Sequence, residues 1–338
     1  MKRSIVNRIG RTSMRSGLSL FFAAFALFAA PASALILDAG DGRGNTTAPP
    51  DDPGWQNVAR RLGGPSIVYL GDRWVLTARH VGAGVVEIDG KRFDPIATDI
   101  HFITNDDGTH TDLMLFRIDD DPGLPRLVLS ESTPLIAEDV ILVGHGASRG
   151  QPISLGSPPE PLRDGFHWID DATRRWGTNV ISDRPNYVTS GRTRTLAIAT
   201  HFDRIDEPLG TPQEAQAAIG DSGGALFARA DRLDSESGWV LAGLMFTVSN
   251  LNDQPPRTSF YGSATFSADL AHYREQILRV VRPICLSDSR LASEPEWACG
   301  TSRVGGPSPD NATRFVWPAA ALSLVLALTL IGIRRRGS

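Results

Sequence analysis

Between residues 55 and 147, short runs of Val, Ile, Leu and Phe alternate with polar, turn-forming residues. The runs at 66–70, 74–78, 85–88, 112–118 and 140–144 are each of strand length. Gly71-Asp72 and Asp89-Gly90 stand between such runs and carry the residue types of tight hairpins. Further on, 195–201, 225–228, 239–248 and 263–266 repeat the pattern, whereas 151–161 reads as a Pro/Gly-rich loop. The period changes only near the end. Over 267–281, Leu270, Tyr273, Ile277 and Val280/Val281 share one helical face, and Pro283 ends the helix. Many short strands followed by one helix predict an all-β sandwich or a pair of barrels.

The two ends have another character. Lys2, Arg3, Arg8, Arg11 and Arg15 make a basic start before an apolar run at 18–30. Ala32-Ser33-Ala34 then offers the small residues at which a signal peptidase cuts. A secretory signal is therefore expected over 1–34. Residues 315–333 are uncharged and almost wholly apolar, and at ~1.5 Å per residue they span roughly one hydrocarbon core. Arg334-Arg335-Arg336 follow directly, and the positive-inside rule keeps such a cluster cytoplasmic. Both signals put the central region outside the cytoplasm, anchored by a helix at 315–333 with a basic tail at 334–338. This tail weakly resembles the PEP-CTERM sorting tails of Gram-negative surface proteins but lacks their Pro-Glu-Pro signature. Residues 35–54, rich in Gly, Asp, Thr and Pro, read as a flexible lead-in, and 284–314 as a linker.

Charge and cysteine usage narrow the functions. A formal net charge of -4 over 338 residues argues against a nucleic-acid partner. Cys285 and Cys299 are close together in an exported context, so a disulfide that pins the end of the domain is expected. With no histidine nearby in sequence, they are not expected to hold a metal.

The sharpest chemical signal is Gly220-Asp221-Ser222-Gly223-Gly224, followed by Ala225-Leu226-Phe227. Glycines beside a serine allow a tight turn and close approach of a substrate carbonyl. Backbone N–H groups around such a serine can meet the oxyanion that develops in acyl transfer. A serine also needs a base. His80 stands at the end of the apolar strand Trp74-Val75-Leu76-Thr77-Ala78-Arg79-His80-Val81. His101, His110, His167, His201 and His272 lack such a setting, and His145, within Gly144-His145-Gly146, is the best rival. For the carboxylate that orients the base, Asp112 opens the strand Asp112-Leu113-Met114-Leu115-Phe116-Arg117-Ile118, with Asp99, Asp106 and Asp107 as competitors by position.

These three segments resemble those of chymotrypsin-like serine proteases. Residues 74–81 are similar to the family's Trp-Val-Leu-Thr-Ala-Ala-His-Cys, 112–118 to its Asp-Ile-Ala-Leu strand, and 220–226 to Gly-Asp-Ser-Gly-Gly-Pro-Leu. The order His, Asp, Ser is also the family's. Weaker echoes at 143–146 and 243–248 extend the likeness over 55–282. The resemblance implies two six-stranded antiparallel Greek-key barrels, about 55–135 and 136–283, with the site in the cleft between them. It implies His80 as general base, Asp112 holding its tautomer, Ser222 as nucleophile, and an oxyanion hole from the N–H groups of Gly220 and Ser222. Protein or peptide substrates follow from it, and neither metal nor organic cofactor is required.

Some positions depart from the pattern. Arg79 replaces a small residue, Val81 replaces a cysteine, and Ala225 stands where proline is common. The Ile-Val-Gly-Gly terminus that activates many family members is absent, so Asp221 must find another partner. Counting back from Ser222 puts Gln216 at the base of the primary pocket, with Val248 and Gly262 on its walls; a polar, uncharged base disfavours strict cleavage after Lys or Arg. The leading expectation is an endopeptidase, and the alternative is an inactive binding module on the same fold. An esterase of the α/β-hydrolase kind would place its histidine last, where the chain has only His272.

Overall fold

The strands nearest the centre of the molecule read as solid apolar runs because both of their faces are buried. The computed structural model describes residues 35–156, 162–170, 173–229 and 238–281. The expected signal, Cys285, Cys299, the linker and the apolar segment at 315–333 lie outside the described residues. Among the described residues no helix is long and apolar enough to cross a membrane.

The chain opens with β1 (Ile36–Leu37). It then builds β2 (Val58–Arg61), β3 (Ser66–Gly71), β4 (Trp74–Thr77), β5 (Val86–Ile88), β6 (Lys91–Phe93), β7 (Pro95–Thr104) and β8 (His110–Ile118). These last seven form one antiparallel sheet in the order β6-β5-β2-β3-β4-β8-β7. The second half contributes β9 (Asp139–Gly144), β10 (Ser148–Leu155), β11 (Arg163–Ile169), β12 (Arg175–Val180), β13 (Asp183–Ser190) and β14 (Thr193–His201). It continues through β15 (Ala215–Gln216), β16 (Ala225–Arg229), β17 (Trp239–Val248), β18 (Thr258–Phe260), β19 (Ala264–Asp269) and α1 (Leu270–Val281). A second seven-stranded sheet has the order β12-β9-β16-β17-β19-β14-β13, beside a three-stranded β10-β11-β18 sheet and the pair β1-β15.

Alternation sorts the side chains into three layers. Ile67, Tyr69, Val75, Met114 and Phe116 fill the outer core of the first sheet. Their neighbours Val68, Leu76, Leu113 and Leu115 face the other way, into a layer shared with Ile141, Val143, Ala225 and Phe227 of the second sheet. Val140, Leu142, Leu226 and Ala228 point into the second sheet's own core, together with Leu35 and Leu37. Leu270, Tyr273 and Ile277 of α1 seal the shared layer.

Four sequence expectations need correction. Each large sheet has seven strands rather than six. The expected loop at 151–161 begins as strand β10; an edge strand with a register shift between Arg149 and Pro152 tolerates a proline that a central strand would not. The helix starts at Leu270, because Ser267 and Ala268 are held between β14 and β17 by strand pairing. The supposedly flexible lead-in begins with Leu35, Ile36 and Leu37 all buried, since three large apolar side chains outweigh the polar stretch after them.

Candidate active site

His80 follows directly from β4. The chain turns sharply there, with the Val81 N–H donating to the Ala78 carbonyl at 3.0 Å. The His80 side chain is 48% exposed while that of Asp112, on the neighbouring strand β8, is 1% exposed. The His80 Nδ1 lies 2.7 Å from Asp112 Oδ2, and the His80 backbone N–H donates to Oδ1 at 3.0 Å. Both carboxylate oxygens are thus committed to one residue. A ring held this way through Nδ1 turns Nε2 outward as the atom free to exchange a proton.

The second half of the molecule fixes Asp112. Its backbone N–H donates to Thr195 Oγ1 of β14 at 2.8 Å. The preceding loop is tied down by Asn105, whose Nδ2 donates to the Arg194 carbonyl at 2.7 Å and whose Oδ1 accepts from the Tyr273 hydroxyl of α1 at 2.8 Å. Gln276 of α1 also accepts from the Thr104 N–H and donates to its carbonyl. The terminal helix is therefore a brace for the histidine–aspartate pair. Nothing in local pattern marked Thr195 or Asn105 for this work, because their partners are 83 and 89 residues away.

Ser222 sits in the turn before β16, partly exposed. Gly223 is pressed against the first sheet: a Cβ there would lie 2.1 Å from the Ser66 carbonyl oxygen and 2.4 Å from Thr77 Oγ1. Its φ of 83° also belongs to the glycine region. Thr77 is the last residue of β4, three before His80, so the tight fit brings the serine turn up to the histidine turn. Among the described residues the Ser222 hydroxyl has no hydrogen-bond partner. Such contacts are commonly loose before substrate arrives.

The backbone around Ser222 is better determined. The Ile219 carbonyl accepts from the Ala147 N–H at 2.8 Å, and the Asp221 carbonyl from the Gly224 N–H at 2.8 Å. In trans peptides N–H and C=O point in opposite directions. The N–H groups of Gly220 and Ser222 are thereby turned away from these acceptors, and neither meets another among the described residues. The Gly220 carbonyl is itself held by the Ser66 N–H and hydroxyl, both at 3.0 Å. Two donors on a pinned turn beside a serine suit a developing oxyanion.

The remaining candidates separate clearly. His145, the rival base, is half-buried and its ring pushed down to about 3, first by desolvation and then by Arg174. Its Nε2 is 3.4 Å from the Val58 carbonyl, so it serves the packing. His101 and Asp99 lie on β7, where the His101 ring is tilted 60° against the Trp74 ring at 5.5 Å between centroids. Asp107 binds its own loop through Thr109. Gln216 is 1% exposed on β15, opposite Ile36, and its Oε1 lacks a hydrogen-bond partner among the described residues. Val248, half-buried at the end of β17, packs on the cluster containing Ala215 and Ala217 that flank Gln216. Gly262 stands in the exposed turn between β18 and β19, with no heavy atom near where a Cβ would be. The departure at Arg79 is absorbed by stacking: its guanidinium lies 4.3 Å above the Phe102 ring.

Two antiparallel sheets with a histidine–aspartate pair on one and a glycine-flanked serine on the other define the class of trypsin-like serine peptidases. The sequence matches the family described as trypsin-like peptidase domain over residues 64–233, and the chain belongs to that family. No curated protein matches the sequence. Among solved structures, the chain is similar to neuropsin, a serine protease of mouse brain, at 19% identity, covering 71% of this chain and 99% of that one with a TM-score of 0.45. It is also similar to a mutant of human heparin binding protein, at 16% identity over 69% and 94% of the two chains with a TM-score of 0.43. The HtrA-type protease AlgW is similar at 17% identity over 64% and 51%, with a TM-score of 0.37.

Proposed function

We propose that this chain is an exported serine endopeptidase that cleaves peptide bonds through an acyl-enzyme intermediate. The observation that carries the reading is the doubly hydrogen-bonded pair of His80 and Asp112, beside the sheet against which the serine turn is pressed at Gly223. In this mechanism His80 Nε2 takes the Ser222 proton as Oγ attacks the substrate carbonyl. Asp112 stabilises the imidazolium that results, and the N–H groups of Gly220 and Ser222 receive the oxyanion. His80 then gives its proton to the leaving amine, and water releases the acyl group by the same route in reverse. Gln216 and Val248 border the pocket for the side chain before the scissile bond. The signal at 1–34 and the apolar helix at 315–333 would hold the peptidase domain outside the cytoplasm.

A fluorophosphonate probe tests the assignment on the full chain expressed in a bacterial envelope. Labelling of the parent but not of Ser222→Ala is the expected result. No labelling of a correctly exported parent would overturn the enzymatic reading and leave the inactive binding module.

A further inference from the structure

A cleft that the mechanism does not use opens between the first sheet and α1. It holds about 610 Å³, and Trp74, Asp99, His101 and Arg117 line it from the sheet, Arg279 and Val280 from the helix. That volume lies within the range of small-ligand sites, which begins near ~300 Å³. Trp74 opens β4, whereas Thr77, against which the serine turn is pressed, closes it. The cleft and the serine turn therefore meet opposite ends of one strand, ~10 Å apart along it.

The charges in this cleft are poorly matched. Arg117 is the inner cation, with its side chain 22% exposed and its guanidinium 5.8 Å from the centre of the Trp74 ring. The carboxylate on the same wall, Asp99, lies 3.7 Å from Nη1, which is too far for a hydrogen bond. Arg117 Nε is buried without a partner among the described residues. A planar fork of five N–H donors is thus left underused. Arg279, exposed in the last turn of α1, adds a second guanidinium. Gln276 of the same helix has nothing to spare, because its side-chain amide accepts from the Thr104 N–H at 2.8 Å and donates to the Thr104 carbonyl at 3.1 Å. The apolar side of the cleft is the Trp74 indole, with the His101 ring against it, and Val280.

We propose that this cleft binds the C-terminal residue of a peptide, with its carboxylate on Arg117 and Arg279 and an apolar side chain against Trp74 and Val280. A carboxylate accepts two parallel N–H bonds from one guanidinium and supplies the close counter-charge that Asp99 does not. Two guanidiniums less one carboxylate leave a single positive charge, which a carboxylate balances and a phosphate dianion, lying beside Asp99, overshoots. A free amino acid would bring an ammonium among these cations, whereas the last residue of a peptide has an uncharged amide there. The site is separate from Ser222 and does not depend on the proposed activity. It gives a protein ligand a second point of attachment, at the far end of β4 from the serine turn.

The test measures binding by ligand-observed NMR on the full chain in detergent, for the parent and for Ser222→Ala. The probes are N-acetyl-leucine, N-acetyl-leucinamide, inorganic phosphate and, on Ser222→Ala, acetyl-Ala-Ala-Leu. N-acetyl-leucine should bind both chains equally, and the amide, which lacks the charged acceptor, about tenfold more weakly. The tripeptide should bind at least as well as N-acetyl-leucine, and equimolar phosphate should not displace it. Arg117→Gln should weaken binding about tenfold, whereas Asp99→Asn, which removes the competing carboxylate, should tighten it. Arg279→Gln, at an exposed position, should weaken binding about threefold and decides the matter if Arg117→Gln does not fold. Unchanged binding in the arginine variants, an amide as good as the acid, or displacement by phosphate overturns the proposal. Weaker binding of the tripeptide than of N-acetyl-leucine also overturns it, as does loss of binding in Ser222→Ala, which would put the ligand in the peptidase site. No turnover is read, so failure here leaves the peptidase reading standing, and failure of that reading leaves this site standing.

Discussion

Asp112 and Asp221 are both buried carboxylates at the heart of the site, yet they are satisfied by different means. Asp112, in the first sheet, is met by the ring and backbone of His80 three residues beyond β4, and its own N–H is anchored on Thr195. Folding alone completes that arrangement. Asp221, in the second sheet, is ringed by the N–H groups of Gly146, Ala218 and Leu35. Burial pushes its carboxyl up to about 7 despite those donors. The two carboxylates thus differ in kind of partner, an imidazole for Asp112 and backbone amides for Asp221.

The comparison can be pressed from the largest effect downwards. Ser222→Ala should reduce peptide hydrolysis by ten-thousand-fold or more, roughly the loss seen when a triad member is removed; steady-state assay of the purified variant reads it. Asp112→Asn preserves shape but offers Nδ1 the wrong partner, so a loss of about ten-thousand-fold in kcat with little change in KM is expected. If Asp112→Asn changed KM instead, its role would lie in substrate binding rather than in holding His80.

A pH experiment addresses the other carboxylate. The folded pKa of Asp221, about 7, lies above its ordinary 3.8 because of burial, despite the three amides and Arg175. The folded state then binds the proton more tightly than the unfolded state, so this stabilisation is fully present below pH ~4 and fades as pH rises through ~7. Asp221→Asn removes the titrating group and with it this pH dependence. The urea midpoint of the parent should therefore fall between pH 5 and 7.5 relative to that of Asp221→Asn. Glu214, pushed up to about 8 by burial, and His145, pushed down to about 3, titrate in both forms and cancel in the difference. Equal midpoint shifts for the two forms would break the contrast between the carboxylates.

The smallest effect should come from Thr195→Val. It removes the hydroxyl that accepts the Asp112 N–H, at a cost of about 1 kcal/mol in stability and a few-fold in kcat. Thermal unfolding and kinetics on one preparation measure both.

Local pattern accounted for much of the site. The strand runs at 74–78, 112–118 and 239–248 were legible because side chains on alternate faces enter two cores, which leaves the strands apolar throughout. His80, Asp112 and Ser222 stood out because each closes or opens such a run beside turn residues. Edge strands such as β7 and β13 were missed, since exposed and half-buried positions along them blur the two-residue period. Corrections fell where a proline or a polar stretch was read by itself: β10 tolerates Pro152 only because it has a neighbour on one side, and β1 exists only because a pocket receives it.

From the amino-acid order alone came the strand-rich fold and the choice of His80, Asp112 and Ser222 as site candidates, which depend on neighbours in the chain. Only the folded structure decided that Thr195 supports Asp112, that His145 is packed away, and that Leu35 reaches Asp221. Those contacts join residues tens to hundreds of positions apart, and a hydrogen bond across such a distance leaves no trace in the residues on either side of its two ends.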